Sequence, residues 1–328
     1  MTVLVIGCGS IGQRHLRNLR SVGVDVIACD PDPLRRDEVT KRYGVQVFEN
    51  LETALSHQPD AVFLCTPTST HVPLGLEIAR RGHHLFIEKP LSHSCEGLDE
   101  LERAVHTRKL VAMVGCNMLF LSSLVMVKRL VEEGRLGRVL SARVQVGFYL
   151  PFWHPKEDYR TSYSANRSLG GGVLLDSIHE IGIIRWVLGE VKEAFCFAGK
   201  LSTLEIDTED TAQILLRMDT GALVQIHFDY LQKTYRRSFE LIGEEGNLVW
   251  DFGTRTVELY SREADQWQVF RENINMDLNQ MFVNEVAHFL KCLDGREEPR
   301  SSLASARRDL DVILAAKRSA QEGSVVRL

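Results

Sequence analysis

No stretch of the 328-residue sequence approaches the roughly 20 consecutive apolar residues that a membrane-spanning helix needs, so no membrane partner is expected. Charge of one sign is also scarce. The net charge is only −5, which argues against a nucleic-acid partner. The seven cysteines show neither CxxC pairing nor zinc-ligand spacing, so neither a metal centre nor a disulfide framework is expected. Cys8, Cys29, Cys65 and Cys116 sit in apolar runs or between glycines, as small buried hydrophobes do. An odd count in such places fits a reducing compartment. A strand that starts at the second or third residue leaves no room for a signal peptide, so a cytoplasmic location is expected. Internal repeats, low-complexity tracts and long Pro/Ser-rich linkers are missing too. What is present is ordinary for a globular protein, 44% hydrophobic and 25% charged, with length enough for two cores.

The chain is organised around VLVIGCGSIGQRHLR at 3–17. Val3 to Ile6 are an apolar, partly β-branched run. Gly7, Gly9 and Gly12 follow at GxGxxG spacing, with Ser10 and Ile11 between them, and a helix reads from Ile11. Strand, glycine turn and helix together imply dinucleotide binding. Gly7 permits the tight turn, Gly9 removes a Cβ where a pyrophosphate must approach, and Gly12 lets the helix pack against the strand. The helix N-terminus then offers N–H groups to phosphate. A second strand at 24–29 leads to Asp30, eighteen residues after Gly12, close to the spacing expected of the carboxylate that bonds the adenosine ribose. A carboxylate there repels a 2′-phosphate, so NAD is expected over NADP. Arg35 and Arg36 lie close behind and would favour NADP instead.

Strands read at 3–6, 24–29, 45–48, 61–65, 84–88 and 111–115, and helices near 11–21, 33–42, 51–57, 71–81 and 96–107. This alternation implies a doubly wound parallel sheet, with ligands bound beyond the carboxyl ends of its strands. Three segments end there: Cys65-Thr66-Pro67, Glu88-Lys89-Pro90 and Gly115-Cys116-Asn117. A linking helix reads at 122–134. Strands then follow one another: 139–149, 194–200, 211–218, 222–230, 238–243, 247–252, 256–261 and 267–272. Such a run predicts a second, largely antiparallel sheet. Amphipathic helices at 279–293 and 303–321 close the chain. The expected division is 1–118 and 119–328, with the terminal helix able to pack back on the first domain.

Two groups carry candidate chemistry. Lys89 ends the fifth strand, where a lysine can hold a substrate hydroxyl and stabilise a developing alkoxide; alone, it also fits an ordinary surface lysine. Pro90 biases Lys89 toward extended geometry. The second group is GGGVLLDSIHE at 170–180. Its glycines let the backbone approach a ligand or another segment closely. Asp176 and His179, three apart, are expected on one helix face, with the carboxylate orienting the histidine as a base. The same residues also fit a helix cap and a packed core histidine. Between the groups, FYLPFWHPKEDYR at 148–160 fits a pocket lining, with Trp153 and His154 toward a sugar ring and Lys156, Arg160 and Arg167 toward phosphate or carboxylate, or else a surface loop.

Taken together, VIGCGSIGQRHLR, CTPTSTH at 65–71, HLFIEKP at 84–90, GCNMLF at 115–120 and LGGGVLLDSIHEI at 169–181 resemble the glucose–fructose oxidoreductase / inositol dehydrogenase / rhizopine catabolism (Gfo/Idh/MocA) family over essentially the whole chain. The resemblance implies an α/β protein: an N-terminal Rossmann domain with a doubly wound parallel sheet, then an α+β domain whose open, mostly antiparallel sheet mediates homodimers or homotetramers. It implies Lys89 as catalytic lysine, His179 as proton-transfer residue and Asp176 as its partner. Thr66, Pro67, His71 and Glu88, with Lys89, match cofactor-side positions. Asn117, Asp176 and His179, with Lys89, match substrate-side ones, to which the loop reading adds Trp153, His154 and Arg160 as candidates. Two departures stand out. The spacing here is Asp-x-x-His where many members have Asp-x-x-x-His, a shorter form that resembles a branch of surface-sugar and nucleotide-sugar pathways. Leu119 stands where an arginine is common, which makes the pocket more apolar.

The implied function is transfer of a hydride between NAD and a secondary alcohol or ketone of a sugar, cyclitol or nucleotide sugar. Two alternatives accompany it: a glycosidase that uses retained NAD transiently, and a non-catalytic NAD-responsive regulator. Retention of Lys89 and His179 argues against the regulator.

Overall fold

Val3, Leu4 and Val5 have no exposed surface. A strand this apolar on both faces belongs in the middle of a covered parallel sheet. In the computed structural model, which describes every residue except His154, Lys156, Ile274 and Met276, it is β1 (Thr2–Ile6). Its neighbours are β2 (Asp25–Cys29), β3 (Val47–Phe48), β4 (Ala61–Leu64), β5 (His84–Glu88) and β6 (Ala112–Gly115). The order is β3-β2-β1-β4-β5-β6, and every pair is parallel. The order reverses between β1 and β4, which opens a ligand-binding crevice at their carboxyl ends. Helices α1 (Ser10–Ser21), α2 (Pro33–Tyr43), α3 (Leu51–Leu55), α4 (His71–Arg81) and α5 (Leu98–Thr107) connect the strands.

The second sheet follows α6 (Ser122–Glu132). It contains β7 (Val139–Gly147), then, after α7 (Val173–Asp176) and α8 (Ile178–Leu188), β8 (Val191–Gly199), β9 (Thr211–Met218), β10 (Leu223–Asp229), β11 (Arg236–Gly243), β12 (Gly246–Asp251), β13 (Thr256–Ser261) and β14 (Gln266–Arg271). Helices α9 (Asn279–Leu293) and α10 (Leu303–Glu322) follow, and β15 (Val326–Arg327) joins the sheet edge. The order is β14-β13-β12-β11-β7-β10-β9-β8-β15, antiparallel except for the β7–β10 pair. Strand alternation sets its two faces. In β9, Ile214, Leu216 and Met218 are buried, whereas Gln213, Leu215 and Arg217 are exposed. Trp250 of β12 stacks on Phe239 of β11 and donates its indole N–H to Ser123 of α6, which fastens that helix to the buried face.

By contacts, the chain divides into residues 1–117 with 278–307 and residues 118–277 with 308–328. Residues 278–307, which the sequence reading leaves in the 119–328 segment, therefore group with the first unit. Apolar packing is the cause. Phe289 of α9 meets Phe63 and Phe86 edge-on at 5.4 and 5.6 Å, and Asn279 bonds Asn18 of α1.

Candidate functional site

In the first unit the glycine turn does three separate jobs. Gly7 has φ +91°, and a Cβ on it would stand 2.5 Å from the Cys65 carbonyl oxygen. A Cβ on Gly12 would stand 1.8 Å from the Gly7 carbonyl oxygen. Both glycines are therefore required by packing. Gly9 differs: its backbone is extended, and an added Cβ would meet only the Arg35 guanidinium, at 3.9 Å. The open side of Gly9 lies at the start of α1, whose N-terminus carries no side-chain cap and no acidic residue in its first turn. Ser10 and Ile11 are the first two helical residues. Uncapped N–H groups beside an open glycine suit a phosphate.

Asp30 follows β2 and is 2% exposed. One carboxylate oxygen accepts the Cys8 N–H at 2.7 Å and the other accepts the Asp32 N–H at 2.8 Å. The carboxylate thus fixes the glycine turn, and further lone pairs suit ribose hydroxyls. The two arginines behind it are engaged. Arg36 donates to the carbonyls of Asp30 and Pro31, and Arg35 lies 3.9 and 3.7 Å from the carboxylates of Asp30 and Asp32. Burial pushes the Cys8 thiol up to about 12, which leaves it inert.

Thr66, Pro67, Glu88, Lys89 and Asn117 all lie at or just past the carboxyl ends of their strands. The Lys89–Pro90 bond is cis. His71 is buried, with Nε2 2.9 Å from the Thr66 carbonyl and Nδ1 2.9 Å from the Pro90 carbonyl. It braces the loop after β4 against the loop after β5. Burial lowers its pKa, against the opposing pull of those two carbonyls. Asn117 opens a 3-10 turn and donates to the Met281 sulfur. Glu88 faces inward: Oε1 lies 2.6 Å from His15 Nε2, and Oε2 accepts the Lys89 N–H. Beside it, Glu285 of α9 is fully buried. Burial first, and the Glu88 charge second, push its pKa well above the usual carboxyl range, and the Cys116 N–H offsets only part of this. His15 and Glu285 carry no local signal. Their roles come from contacts between residues far apart in sequence.

In the second unit the glycine run admits other chain segments. A Cβ on Gly171 would stand 2.1 Å from the Tyr163 carbonyl oxygen, and one on Gly172, at φ +115°, would meet the Glu209 carboxylate at 2.4 Å. Asp176 ends α7, a single turn, and His179 lies in the first turn of α8. The expected single helix is interrupted at Ser177, at φ −91°, ψ 18°. Asp176 is no N-terminal cap. Its carboxylate accepts the Tyr163 hydroxyl at 2.6 Å and the Tyr230 hydroxyl at 2.5 Å. These tyrosines lie 13 and 54 residues away, which explains why the local pattern does not announce them.

Trp153 is half-buried, donates to the Phe148 carbonyl and meets the Tyr230 ring edge-on at 5.3 Å. His154 and Lys156 lie outside the described residues. Arg160, expected to offer its charge to a substrate, instead donates to both oxygens of Asp158 and to Glu205. Two nearby carboxylates, Asp158 and Glu205, pair with the guanidinium. Arg167 likewise donates to the Asp207 carbonyl.

Residues 1–116 match the family described as "Oxidoreductase family, NAD-binding Rossmann fold", and residues 124–249 match the GFO/IDH/MocA C-terminal domain. Among curated relatives, myo-inositol 2-dehydrogenase of Thermotoga maritima is 28% identical over an alignment of 342 positions, covering 100% of this chain and 98% of the relative. The NAD(+)-dependent scyllo-inositol 2-dehydrogenase of Bacillus subtilis is 25% identical, covering 99% and 95%. Among solved structures, GenD2 from gentamicin A biosynthesis in complex with NAD superposes with a TM-score of 0.86 at 26% identity, covering 100% of this chain and 96% of that one.

Proposed function

Because the chain belongs to the GFO/IDH/MocA family of NAD-binding oxidoreductases, we propose that it oxidises or reduces one secondary carbinol of a sugar, cyclitol or nucleotide sugar. The observation that carries this reading is the turn at Gly9: an open glycine, an uncapped helix N-terminus and the buried Asp30 carboxylate together. Ser10 and Ile11 would present their N–H groups to the cofactor phosphates, and Asp30 its carboxylate to the adenosine ribose. NAD is preferred over NADP, since Asp30 repels a 2′-phosphate and Arg36 is bonded to backbone carbonyls. NAD, when bound, supplies the hydride acceptor or donor.

Lys89, at the end of β5, holds the reacting oxygen and stabilises negative charge as it develops there. His179 takes the hydroxyl proton in oxidation and returns it in reduction. His71 and Glu88 keep the Thr66 and Lys89 loops in place. The relatives' inositol substrates support a polyhydroxylated ring as the substrate class. Lys89→Ala tests the assignment: kcat falls by at least about a hundredfold while NAD affinity, read by calorimetry, changes far less. Equal loss of both would remove the catalytic role of Lys89.

Two coarser features extend the proposal. No helix among the described residues is long and apolar enough to cross a membrane. With buried, unpaired cysteines such as Cys8, Cys29 and Cys65, this supports a cytoplasmic enzyme. The outer face of the second sheet exposes Phe197, Leu215 and Leu223, at 67%, 55% and 52%, which supports a homodimer or homotetramer formed through that face.

A further inference from the structure

The second unit contains a buried carboxylate whose placement the family pattern leaves unexplained. Asp176 is 6% exposed, and burying an ionised carboxylate is costly unless donors surround it. Tyr230, the residue after β10, has no exposed surface, and its hydroxyl donates to Asp176 Oδ2. Its ring is held edge-on to Trp153, so the hydroxyl has one direction. Tyr163 donates to Oδ1 from the segment before the glycine run. That segment approaches α7 because position 171 lacks a side chain: the Gly171 Cβ site is 2.1 Å from the Tyr163 carbonyl oxygen, and the Gly172 N–H donates to the Ser164 carbonyl. Gly171 therefore acts by admitting the Tyr163 segment, and Gly172 by admitting Glu209.

We propose that Tyr163 and Tyr230 are positioning residues for the reaction of this chain, holding both oxygens of the Asp176 carboxylate in one orientation so that its charge stands fixed three residues before His179. The inference rests on the oxidoreductase reading given above. Hydroxyls that donate to a carboxylate favour its charged form, and a nearby anion favours the protonated form of an imidazole. Through Asp176 the two tyrosines thereby raise the basicity of His179.

Other charges face the same carboxylate. Glu209, from the loop before β9, contacts the Gly172 site, and Lys317 of α10 lies 3.8 Å from Glu209. Burial lowers the Lys317 pKa, with Glu209 and Asp176 opposing that fall and Arg167 adding to it. Burial, and then the Asp176 charge, push the Tyr230 phenol well above its ordinary value, so it stays a donor through the neutral range.

The test uses the full chain and the variants Tyr163→Phe and Tyr230→Phe. Carbon-13 carboxyl resonances, with Asp176 assigned through Asp176→Asn, are titrated, and kcat/KM is measured against pH with NAD and whichever polyol the wild-type chain oxidises. Each lost donor raises the Asp176 midpoint and lowers neutral-pH kcat/KM about tenfold, mainly through kcat, while the acid limb of the profile, set by the weakened base His179, moves to lower pH. Tyr260→Phe removes another phenol–carboxylate pair, the exposed one with Asp265, and leaves both readings unchanged. An unmoved Asp176 midpoint in both folded variants would overturn the proposal. If Tyr230→Phe does not fold, the half-buried Tyr163→Phe decides by the same readings. Absence of wild-type turnover on every polyol would count against the oxidoreductase reading, and the titration would still decide the tyrosine assignment.

Discussion

The imidazole Nε2 of His15 lies 2.6 Å from Oε1 of Glu88. His15 stands on the helix that follows the glycine turn, and Glu88 ends the strand that delivers Lys89. One hydrogen bond thus ties the cofactor-binding helix to the lysine-bearing strand inside the first unit. The His15 ring is fully buried against Phe63 and Phe86.

Removing the histidine leaves the Glu88 carboxylate without that partner and opens a cavity beside the two phenylalanines. His15→Ala is expected to cost about 2–4 kcal/mol in urea denaturation, from an unpaired buried polar group plus lost packing. Wild-type stability in the variant would contradict this.

Glu285 gives the first unit a pH dependence with a definite sign. The folded protein keeps the Glu285 proton at pH values where the unfolded chain, near the ordinary 4.5, has released it. The folded state then binds more protons, so stability falls as pH rises above that value. Glu285→Gln removes this dependence. Urea midpoints of wild type and variant converge in acid and separate in the variant's favour between pH 5 and 8, an interval of roughly the width expected for a buried carboxyl. Parallel curves would contradict the prediction.

The glycines of the turn are separable by experiment. Gly9→Ala keeps the thermal midpoint, because its Cβ meets only the end of Arg35, but weakens NAD binding at least about tenfold by filling the approach. Gly12→Ala destabilises the fold itself, because its Cβ overlaps the Gly7 carbonyl. Calorimetric titration beside thermal melting separates the two, and similar behaviour of both variants would contradict the division of labour.

Much of this was legible because periodicity is local. The strand at 211–218 and the helices at 71–81 and 279–293 have the limits that alternation and amphipathic spacing imply. Where pairing depends on distant partners the pattern is silent. The two residues of β15 are too few to carry a period, yet they pair with Ala194 and Glu193. Asp176 and His179 sit at spacing suited to one helix, and no glycine or proline between them announces the break at Ser177. His15, Tyr163 and Tyr230 look like ordinary apolar-run or loop residues until the fold brings each to its carboxylate. Arg160 reads as a free cation, whereas Glu205, forty-five residues on, helps to occupy it.

The exposed face of the second sheet predicts a concentration-dependent assembly. Phe197 and Leu215 lie on the adjacent strands β8 and β9, with Leu215 opposite Phe195. Light scattering after size exclusion is expected to give a dimer or tetramer, and Phe197→Asp with Leu215→Asp to shift it toward monomer. A wild-type monomer at micromolar concentration would contradict assembly through this face.

The central claim, hydride transfer from a polyhydroxylated substrate, is tested most directly by following NADH formation. Purified protein and NAD would be supplied with a panel of cyclitols, free sugars and nucleotide sugars. Wild-type chain is predicted to produce NADH with at least one of them, and His179→Ala to lose that signal while still binding NAD. Turnover that survives unchanged in His179→Ala, or silence across the panel in both the NAD and the NADH direction with NAD bound, would contradict the account.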